Sequence, residues 1–194
     1  MKPAGKPDLP VISFSSRKEF ALWLEENHSL ETGIWVKFYK KNSGVPTVRY
    51  DEALLEALCY GWIDGHIKKF DEAAYIQKFT PRRSKSTWSK RNADFVRQLE
   101  QEGKMKPPGL KQVEAAKADG RWETAYDSPS KMSIPEDFMK RLRKEKKGLA
   151  FFKTLDKANN YSIGYRLQTA KTPEAREKRM QVIIEMMSRQ EKFH

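Results

Sequence analysis

The sequence contains a single cysteine, Cys59, among 194 residues. One thiol cannot form a disulfide within the chain or supply a zinc site built from several cysteines. Long apolar runs are missing too: none approaches the ~20 residues that span a bilayer, so no transmembrane segment is expected. Residues 1–10 are rich in proline and charge, which predicts a loose arm, and they lack the apolar core of a secretory signal. We therefore expect a cytoplasmic protein.

Motifs of familiar cofactor sites and reactions are also missing. The sequence has no Walker loop, no dinucleotide-binding fingerprint, no zinc-protease helix motif and no serine elbow. We therefore predict no metal and no cofactor. Cys59 lies on the apolar side of a predicted helix, and a reactive thiol needs exposure and a cationic neighbour. We expect this cysteine to be a packing residue, and whether the chain is an enzyme stays open.

The chain has an excess of positive charge, with 38 Lys and Arg against 26 Asp and Glu and a net charge of +12. Residues 134–194 hold 15 of the basic residues and only 8 of the acidic ones. Such a surface favours polyanions, among them nucleic acid, phosphorylated small molecules and anionic lipid headgroups. The same charge also fits a basic protein whose helix faces are only solvated, so charge alone does not identify a partner.

Segments rich in β-forming residues alternate with short helices in the first part of the chain. A capping-box pattern at residues 16–19 begins a helix that ends near Asn27. Residues 33–40 predict a strand, and alternation places three of its apolar side chains on one face: Ile34, Val36 and Phe38. Residues 66–70 and 74–80 predict two further strands joined by a turn.

A central buried helix is predicted between the first of these strands and the second. Asp51 is placed to cap its beginning and Gly65 to end it. Apolar residues recur between them at helical spacing: Leu54, Leu55, Leu58, Cys59 and Trp62. In this interpretation Asp64 lies at the carboxyl end of the helix.

The last part of the chain has the pattern of capped helices. A second capping box occupies residues 133–136, and the run that begins at Thr172 has the residues of a helix start. Residues 127–131, rich in serine with a proline, predict a boundary. The sequence therefore predicts an α+β fold: a small, mainly antiparallel sheet with helices over residues 12–127, followed by an all-helical subdomain over residues 134–190.

A candidate binding site is predicted from residues that core packing does not require so close together: Trp62, Asp64, Arg82, Arg83, Trp88 and Asn92. A carboxylate at a helix carboxyl end costs ~0.3–1 kcal/mol, so Asp64 should have a cationic partner, which could be Arg82, Arg83 or Lys68. The guanidinium fork suits carboxylate and phosphate groups. The site would bind an anionic small molecule. Alternatively, the charges form a structural salt bridge and the tryptophans belong to the core.

A second candidate site lies in the basic tail. Four cations there could contact phosphates as a nucleic-acid-binding surface: Lys171, Arg176, Lys178 and Arg179. This is an alternative hypothesis to the anion site.

Several motifs resemble a known family. They are A-L-C-Y-G-W-I-D-G at residues 57–65, F-T-P-R-R at 79–83, W-S-K-R-N at 88–92 and A-K-A-D-G-R-W at 116–122. On these motifs the chain resembles the YdeI/OmpD-associated, or bacteriocin-protection, family from about residue 14 to residue 187. The resemblance implies an α+β unit followed by a helical unit. It also implies a role in tolerance of bacteriocins or cationic peptides, or association with a porin, which the missing signal peptide does not favour here.

Three functions follow as hypotheses. The first is a cytoplasmic stress- or antimicrobial-protection protein that binds an anionic small molecule at the Trp–Asp–Arg site. The second is a nucleic-acid-associated protein that uses the basic tail. The third is an enzyme of unknown reaction, with Asp64 as acid or base and Arg82 or Arg83 holding charge on the substrate.

Overall fold

The chain folds into two compact units, seen here in a computed structural model that describes residues 9–194. The first unit comprises the described residues up to Ser86 together with Asp94–Asp119, and the second comprises Thr87–Ala93 together with Gly120–His194. The N-terminal arm predicted for residues 1–10 lies, as far as residue 8, outside the described residues. The domain limits 12–127 and 134–190 rest on sequence signals and stay a prediction.

The first unit contains a four-stranded sheet. Its strands are β1 (Val11–Ser13), β2 (Ile34–Tyr39), β3 (Trp62–Lys69) and β4 (Ala74–Pro81), in the spatial order β1-β2-β4-β3. β1 runs parallel to β2, whereas β2 with β4 and β4 with β3 are antiparallel. The mainly antiparallel sheet and the α+β class predicted from the sequence are therefore confirmed.

Eight helices complete the two units in the described part of the chain. They are α1 (Arg17–Asn27), α2 (Tyr50–Cys59), α3 (Lys90–Gln101), α4 (Pro107–Ala118), α5 (Glu136–Leu142), α6 (Lys146–Phe152), α7 (Lys157–Gln168) and α8 (Pro173–Ser188). A short 3-10 turn, Lys41–Ser43, follows β2.

Local sequence signals explain several of these elements. Ser16 caps α1 by accepting a hydrogen bond from the Glu19 amide, as its capping-box pattern predicts. Along β2 the side chains alternate strictly between buried and half-buried, because successive residues of a strand point to opposite faces. The face predicted to be buried is the buried one, and it carries Ile34, Val36 and Phe38.

The central helix is shorter than predicted. α2 ends at Cys59 rather than near Gly65, and the next residues turn the chain into β3. Gly61 has a φ of 74°, and a Cβ there would lie 2.9 Å from the backbone oxygen of Pro108. Trp62 continues the helical spacing of the buried residues, but it also fits the first buried position of a strand. A short apolar run does not distinguish these two periods.

The beginnings of two helices also differ from the sequence prediction. α2 is capped at Arg49, two residues before the predicted cap Asp51, and the Glu52 carboxylate accepts the Arg49 amide. α5 begins after Pro135 rather than after Ser133. Pro fixes its own φ and disfavours helical geometry in the residue before it, so the helix starts two residues later. The cap of α8 at Thr172 is confirmed.

The second unit is built on a helical core. Side chains from α5, α7 and α8 pack together with less than 2% exposure: Phe138, Leu142, Ile163, Leu167, Met180, Ile183 and Met187. The predicted boundary, residues 127–131, contacts the second unit through its first residue, Asp127. The Asp127 carboxylate pairs with Lys90 (2.8 Å) and accepts a hydrogen bond from Gln168 Nε2 (2.8 Å), and both contacts lower its pKa.

We expect Gly33→Ala to destabilise the protein more than Gly44→Ala. Both glycines have a positive φ (79° and 70°), which costs a residue with a Cβ ~1–2 kcal/mol. Only at Gly33 would the new Cβ also collide, because it would lie 2.3 Å from the Phe79 carbonyl oxygen in β4. The clash should add about 1–3 kcal/mol to the loss.

Urea unfolding followed by far-UV circular dichroism measures both losses, and Gly44→Ala is the matched control for the strained φ. Equal losses in the two variants would contradict the close approach between the start of β2 and β4.

Candidate functional site

Trp62 is a core residue of the first unit. Its side chain is fully buried, its ring meets the edge of Trp23 with 5.8 Å between the centroids, and its Nε1 donates to the carbonyl oxygen of His28 at 2.8 Å. A buried tryptophan requires a partner for its N–H, and the end of α1 provides one. Trp62 therefore holds α1 against the sheet.

Asp64 lies within β3, not at a helix end. The argument that its charge opposes a helix dipole is therefore wrong. Its Oδ2 accepts hydrogen bonds from Tyr50 Oη (2.8 Å) and Gln77 Nε2 (3.0 Å), and both donors are neutral. In residues 9–194 it forms no ion pair with Arg82 or Arg83. The charge on Asp64 is balanced by hydrogen bonds rather than by a cation.

The other four predicted residues are divided between the two units. Arg82 is 6% exposed and its amide donates to the Gly61 carbonyl at 2.9 Å, whereas Arg83 is exposed. Trp88 and Asn92 belong to the second unit, where the Trp88 ring packs edge-on against Trp122 with 5.0 Å between centroids. An anion site formed by these residues stays a prediction.

The basic tail separates into cations that are paired and cations that are not. Arg176 forms a two-pronged ion pair with Asp137 of α5, at 2.6 and 2.9 Å, and this pair lowers the pKa of the aspartate. Glu177 pairs with Arg141 beside it. These contacts join α8 to α5, so Arg176 is occupied within the fold.

Arg179 contacts α7 rather than α5. Its Nη1 donates to the Arg166 carbonyl at 2.7 Å and to Thr169 Oγ1 at 3.3 Å, at the end of α7. The last carbonyls of a helix lack partners within the helix and carry the negative end of its dipole, so a guanidinium is favourable there. These hydrogen bonds hold the guanidinium of Arg179, a residue of α8, against the end of α7.

Two cavities of the second unit share Arg166 and Arg179. The larger, of ≈ 410 Å³, is otherwise lined by Thr87, Tyr161, Ser162, Tyr165, Thr169 and Lys171. The smaller, of ≈ 280 Å³, is otherwise lined by Ala175, Lys178, Val182, Ile183 and Phe193. We call these two cavities together the basic groove, and its four cations are Arg166, Lys171, Lys178 and Arg179.

The basic groove is unbalanced in charge. No lining residue is acidic, and none of its four cations forms an ion pair with a carboxylate in the described part of the chain. Arg166 instead lies over the ring of Phe193, with 4.6 Å from Cζ to the ring centroid. Cations gathered without counter-charges repel one another, and a concave wall strengthens their field. A bound anion would relieve this repulsion.

Polar groups and rings complete the larger cavity. Tyr161 and Tyr165 stand one turn apart on α7 with 5.8 Å between their centroids, and burial raises the pKa of Tyr161. Ser162 and Thr169 add hydroxyl groups to the same wall. Such a wall offers hydrogen-bond donors to an anion and flat apolar surfaces to a planar group.

Sequence reasoning identified Lys171, Lys178 and Arg179 but missed Arg166 and the tyrosines. The sequence did contain a signal for the tyrosines: Tyr161 and Tyr165 are four residues apart, and this spacing places both on the same side of a helix. Gly164 of the same helix packs closely against the segment before α5, because a Cβ there would lie 2.7 Å from the Met132 side chain. That packing could not be derived from the tail alone.

Cys59 has the role that the sequence predicts. It is buried, and burial, followed by the negative charge of Glu56, raises the pKa of its thiol to about 12. Its carbonyl oxygen accepts the Lys106 amide at 3.1 Å, just before α4 begins. A neutral buried thiol is a packing group.

Across residues 9–194 no helix is both long and apolar enough to cross a membrane.

The fold and its sites define a class: an α+β unit joined to a small helical unit that carries a basic groove. Residues 12–112, about half of the chain, match a family described as a domain of unknown function (DUF8412). Residues 131–190 match the family described as bacteriocin-protection, YdeI or OmpD-associated. The chain therefore belongs to the DUF8412 family, and its helical part is similar to the YdeI/OmpD-associated family.

The family match covers less of the chain than the motif resemblance from residue 14 to residue 187 implied. The sequence before residue 113 corresponds to the other described domain. Searches of curated proteins and of solved structures gave no match.

We expect Cys59 to resist thiol reagents in the folded protein. A disulfide reagent at pH 8 should label it only after denaturation, because the buried thiol keeps its proton. Its raised pKa contributes stability fully below the unfolded value of 9.0, and this contribution is lost as pH rises towards about 12.

The free energy of unfolding should therefore fall between pH 8 and pH 10 by more in the native sequence than in Cys59→Ala, which serves as the control. Rapid labelling of the folded protein would show that the thiol is accessible.

Replacing Asp64 should affect stability through its acceptor oxygen. Asp64→Ala removes the acceptor of the buried Gln77 amide and of Tyr50, which costs about 1–3 kcal/mol. Asp64→Asn keeps an oxygen in place and should cost less than about 1 kcal/mol. Urea unfolding distinguishes the two variants, and similar losses would mean that the charge itself stabilises the fold.

Proposed function

We propose that this protein, whose helical part matches the bacteriocin-protection family, acts by binding an anionic small molecule in the basic groove of its helical unit. The family match supports a bacteriocin-protection role at the level of the family. The observation that supports the binding function is the groove itself, where four cations line two cavities that have no acidic lining residue.

The shape of the groove favours a small anion over a nucleic-acid duplex. A duplex is bound by cations spread along a surface that follows the phosphate backbone. Here three of the four predicted tail cations line cavities, and the fourth, Arg176, is paired with Asp137. The larger cavity, of ≈ 410 Å³, also lies within the range of ~300–1,000 Å³ that is usual for small-molecule sites.

The net charge of the protein disfavours one protective mechanism, the direct binding of a cationic peptide. A chain with a charge of +12 repels cationic peptides at long range, so direct capture of such a peptide is disfavoured. An anionic ligand has the opposite sign and is attracted by the same field. We therefore propose that the protein protects through the anion that it binds, and not by sequestering the toxic peptide.

The Trp–Asp–Arg site predicted from the sequence is a second location for such an anion. Asp64 is held by neutral donors, and no arginine pairs with it among the described residues, which leaves this location with less support than the groove. An enzymatic role for Asp64 stays an alternative hypothesis, and no reaction is assigned to it.

Inorganic pyrophosphate is a suitable first probe because it is a small, highly charged anion. We expect it to bind the intact protein in isothermal titration calorimetry at low salt. Lys171→Glu/Lys178→Glu should weaken binding at least tenfold, since each lost charge-assisted contact is worth ~1.5–3 kcal/mol and ten-fold corresponds to ~1.4 kcal/mol. Both lysines are exposed, so the variant should keep its fold.

Two control variants make the result specific. Lys140→Glu/Lys153→Glu changes the net charge equally at exposed lysines outside the groove and should leave binding within about twofold, as expected for distant screened charges. Arg176→Gln should lower stability but preserve binding, because its partner is Asp137. Loss of binding in the first control, or no binding by the native protein, would contradict the groove as the site.

A further inference from the structure

The sheet of the first unit has a second face that carries aromatic rings and lysines. Pairing between strands sets Trp35 opposite Lys78, and Lys37 opposite Ile76. On the far side of β4, Ile76 pairs with Lys68 of β3. Tyr39 follows on the same side of β2, because side chains two residues apart share a face. We call this surface the outer sheet face, and it comprises Trp35, Lys37, Tyr39, Lys68, Ile76 and Lys78.

Lysine side chains lie over the rings of the outer sheet face. Lys68 Nζ reaches across β4 to within 4.8 Å of the centroid of the Trp35 ring. Lys37 Nζ lies 4.7 Å from the ring centroid of Tyr39 and 4.2 Å from that of Phe70. Ile76 beneath them is only 9% exposed. The apolar stems of the lysines therefore shield the middle of the sheet, while their ammonium groups rest on aromatic faces.

The two faces of the sheet differ sharply. On the opposite face Ile34, Val36 and Phe79 are fully buried. Around the outer sheet face the side chains remain partly open, and Phe70 at its end is 47% exposed. Isolated exposed apolar residues are ordinary, but rings and lysines gathered on one face are typical of a binding surface.

The positive charge of the outer sheet face is only partly compensated. Lys37 has one carboxylate near it, Asp71 at 3.5 Å, in the turn between β3 and β4. Lys68 and Lys78 form no ion pair with a residue of the described chain. Cation–π contacts at an exposed site contribute only ~0.5–1 kcal/mol each. These lysines therefore contribute little to the stability of the sheet, whereas their charge would attract an anionic partner.

We propose that the outer sheet face binds single-stranded nucleic acid. Phosphates would draw the lysine ammonium groups from the rings, and the freed faces of Trp35 and Tyr39 could then stack unpaired bases. These two residues are separated by four positions of an extended strand, about 13 Å along it. Lys37 lies between them. A duplex hides the faces of its bases, so stacking selects a single strand.

A fluorescence anisotropy titration with a labelled twelve-nucleotide oligo(dT) tests this proposal on the intact chain. We expect saturable binding at low salt that weakens as salt increases. Lys68→Gln/Lys78→Gln should raise the Kd at least tenfold. It should also reduce the log–log salt slope by roughly 1.4, about 0.7 for each phosphate contact to a single strand. Both lysines lie on the surface of the sheet, so circular dichroism should show an unchanged fold.

Base stacking is tested with an abasic oligomer of the same length and charge. It should bind at least tenfold more weakly than oligo(dT), since stacking adds affinity at each base. Tyr39→Leu, which keeps an apolar side chain but removes the ring, should lower the affinity for oligo(dT) and not for the abasic strand. Lys140→Gln/Lys153→Gln is the matched charge control and should bind as the native protein does.

Three results would overturn the proposal. They are the absence of oligo(dT) binding at low salt, equal affinity for the abasic strand, and loss of binding in Lys171→Glu/Lys178→Glu with retention in Lys68→Gln/Lys78→Gln. The last result would assign the oligonucleotide to the basic groove. Pyrophosphate binding is measured separately, so failure at the sheet leaves the function of the groove unaffected.

Discussion

The backbone reversal at Gly61 is the constraint on which the first unit depends. It allows α2 to stop at Cys59 and the chain to enter β3 within two residues. The start of α4 packs directly against this reversal: a Cβ on Gly109 would lie 2.1 Å from the Cys59 carbonyl oxygen. The Arg82 amide bonds to the Gly61 carbonyl and so ties the end of β4 to the same place. Glycine is required at both points because a side chain would separate the helices.

This reversal decides which residues face the core and which face outwards. Because β3 begins at Trp62, the indole enters the core and the Asp64 carboxylate lies beside Gln77 on the same side of the sheet. The alternating residues of β2 and β4 then gather on the other side, where rings and lysines meet. An extension of α2 by one more turn would have moved Asp64 to a helix end and removed part of β3. The position of a single turn thus determines the chemistry available on both faces.

In the second unit, ion pairing divides α8 into two functional sides. Arg176 and Glu177 pair with α5, whereas Arg179 caps the end of α7 and Lys178 stands beside it. Neighbouring residues of a helix point in different directions, so a basic run of sequence divides into one side held by ion pairs and one side whose cations face no carboxylate. The net charge of the chain is thereby concentrated in a groove instead of being spread along the tail. A local excess of positive charge of this kind is what the proposed binding of an anion requires.

Much of the architecture follows from local signals in the sequence. The cap at Ser16, the alternation of Ile34, Val36 and Phe38, and the start of α8 at Thr172 each depend on a few neighbouring residues, whose preferences act before any distant contact forms. The burial of Cys59 and the α+β class were determined in the same way. Tertiary structure decided where α2 ends, what Asp64 contacts and which tail cations are paired. These features depend on close approach between backbone segments and on contacts with residues far along the chain. The periodicity of a single segment does not determine which distant residue it contacts.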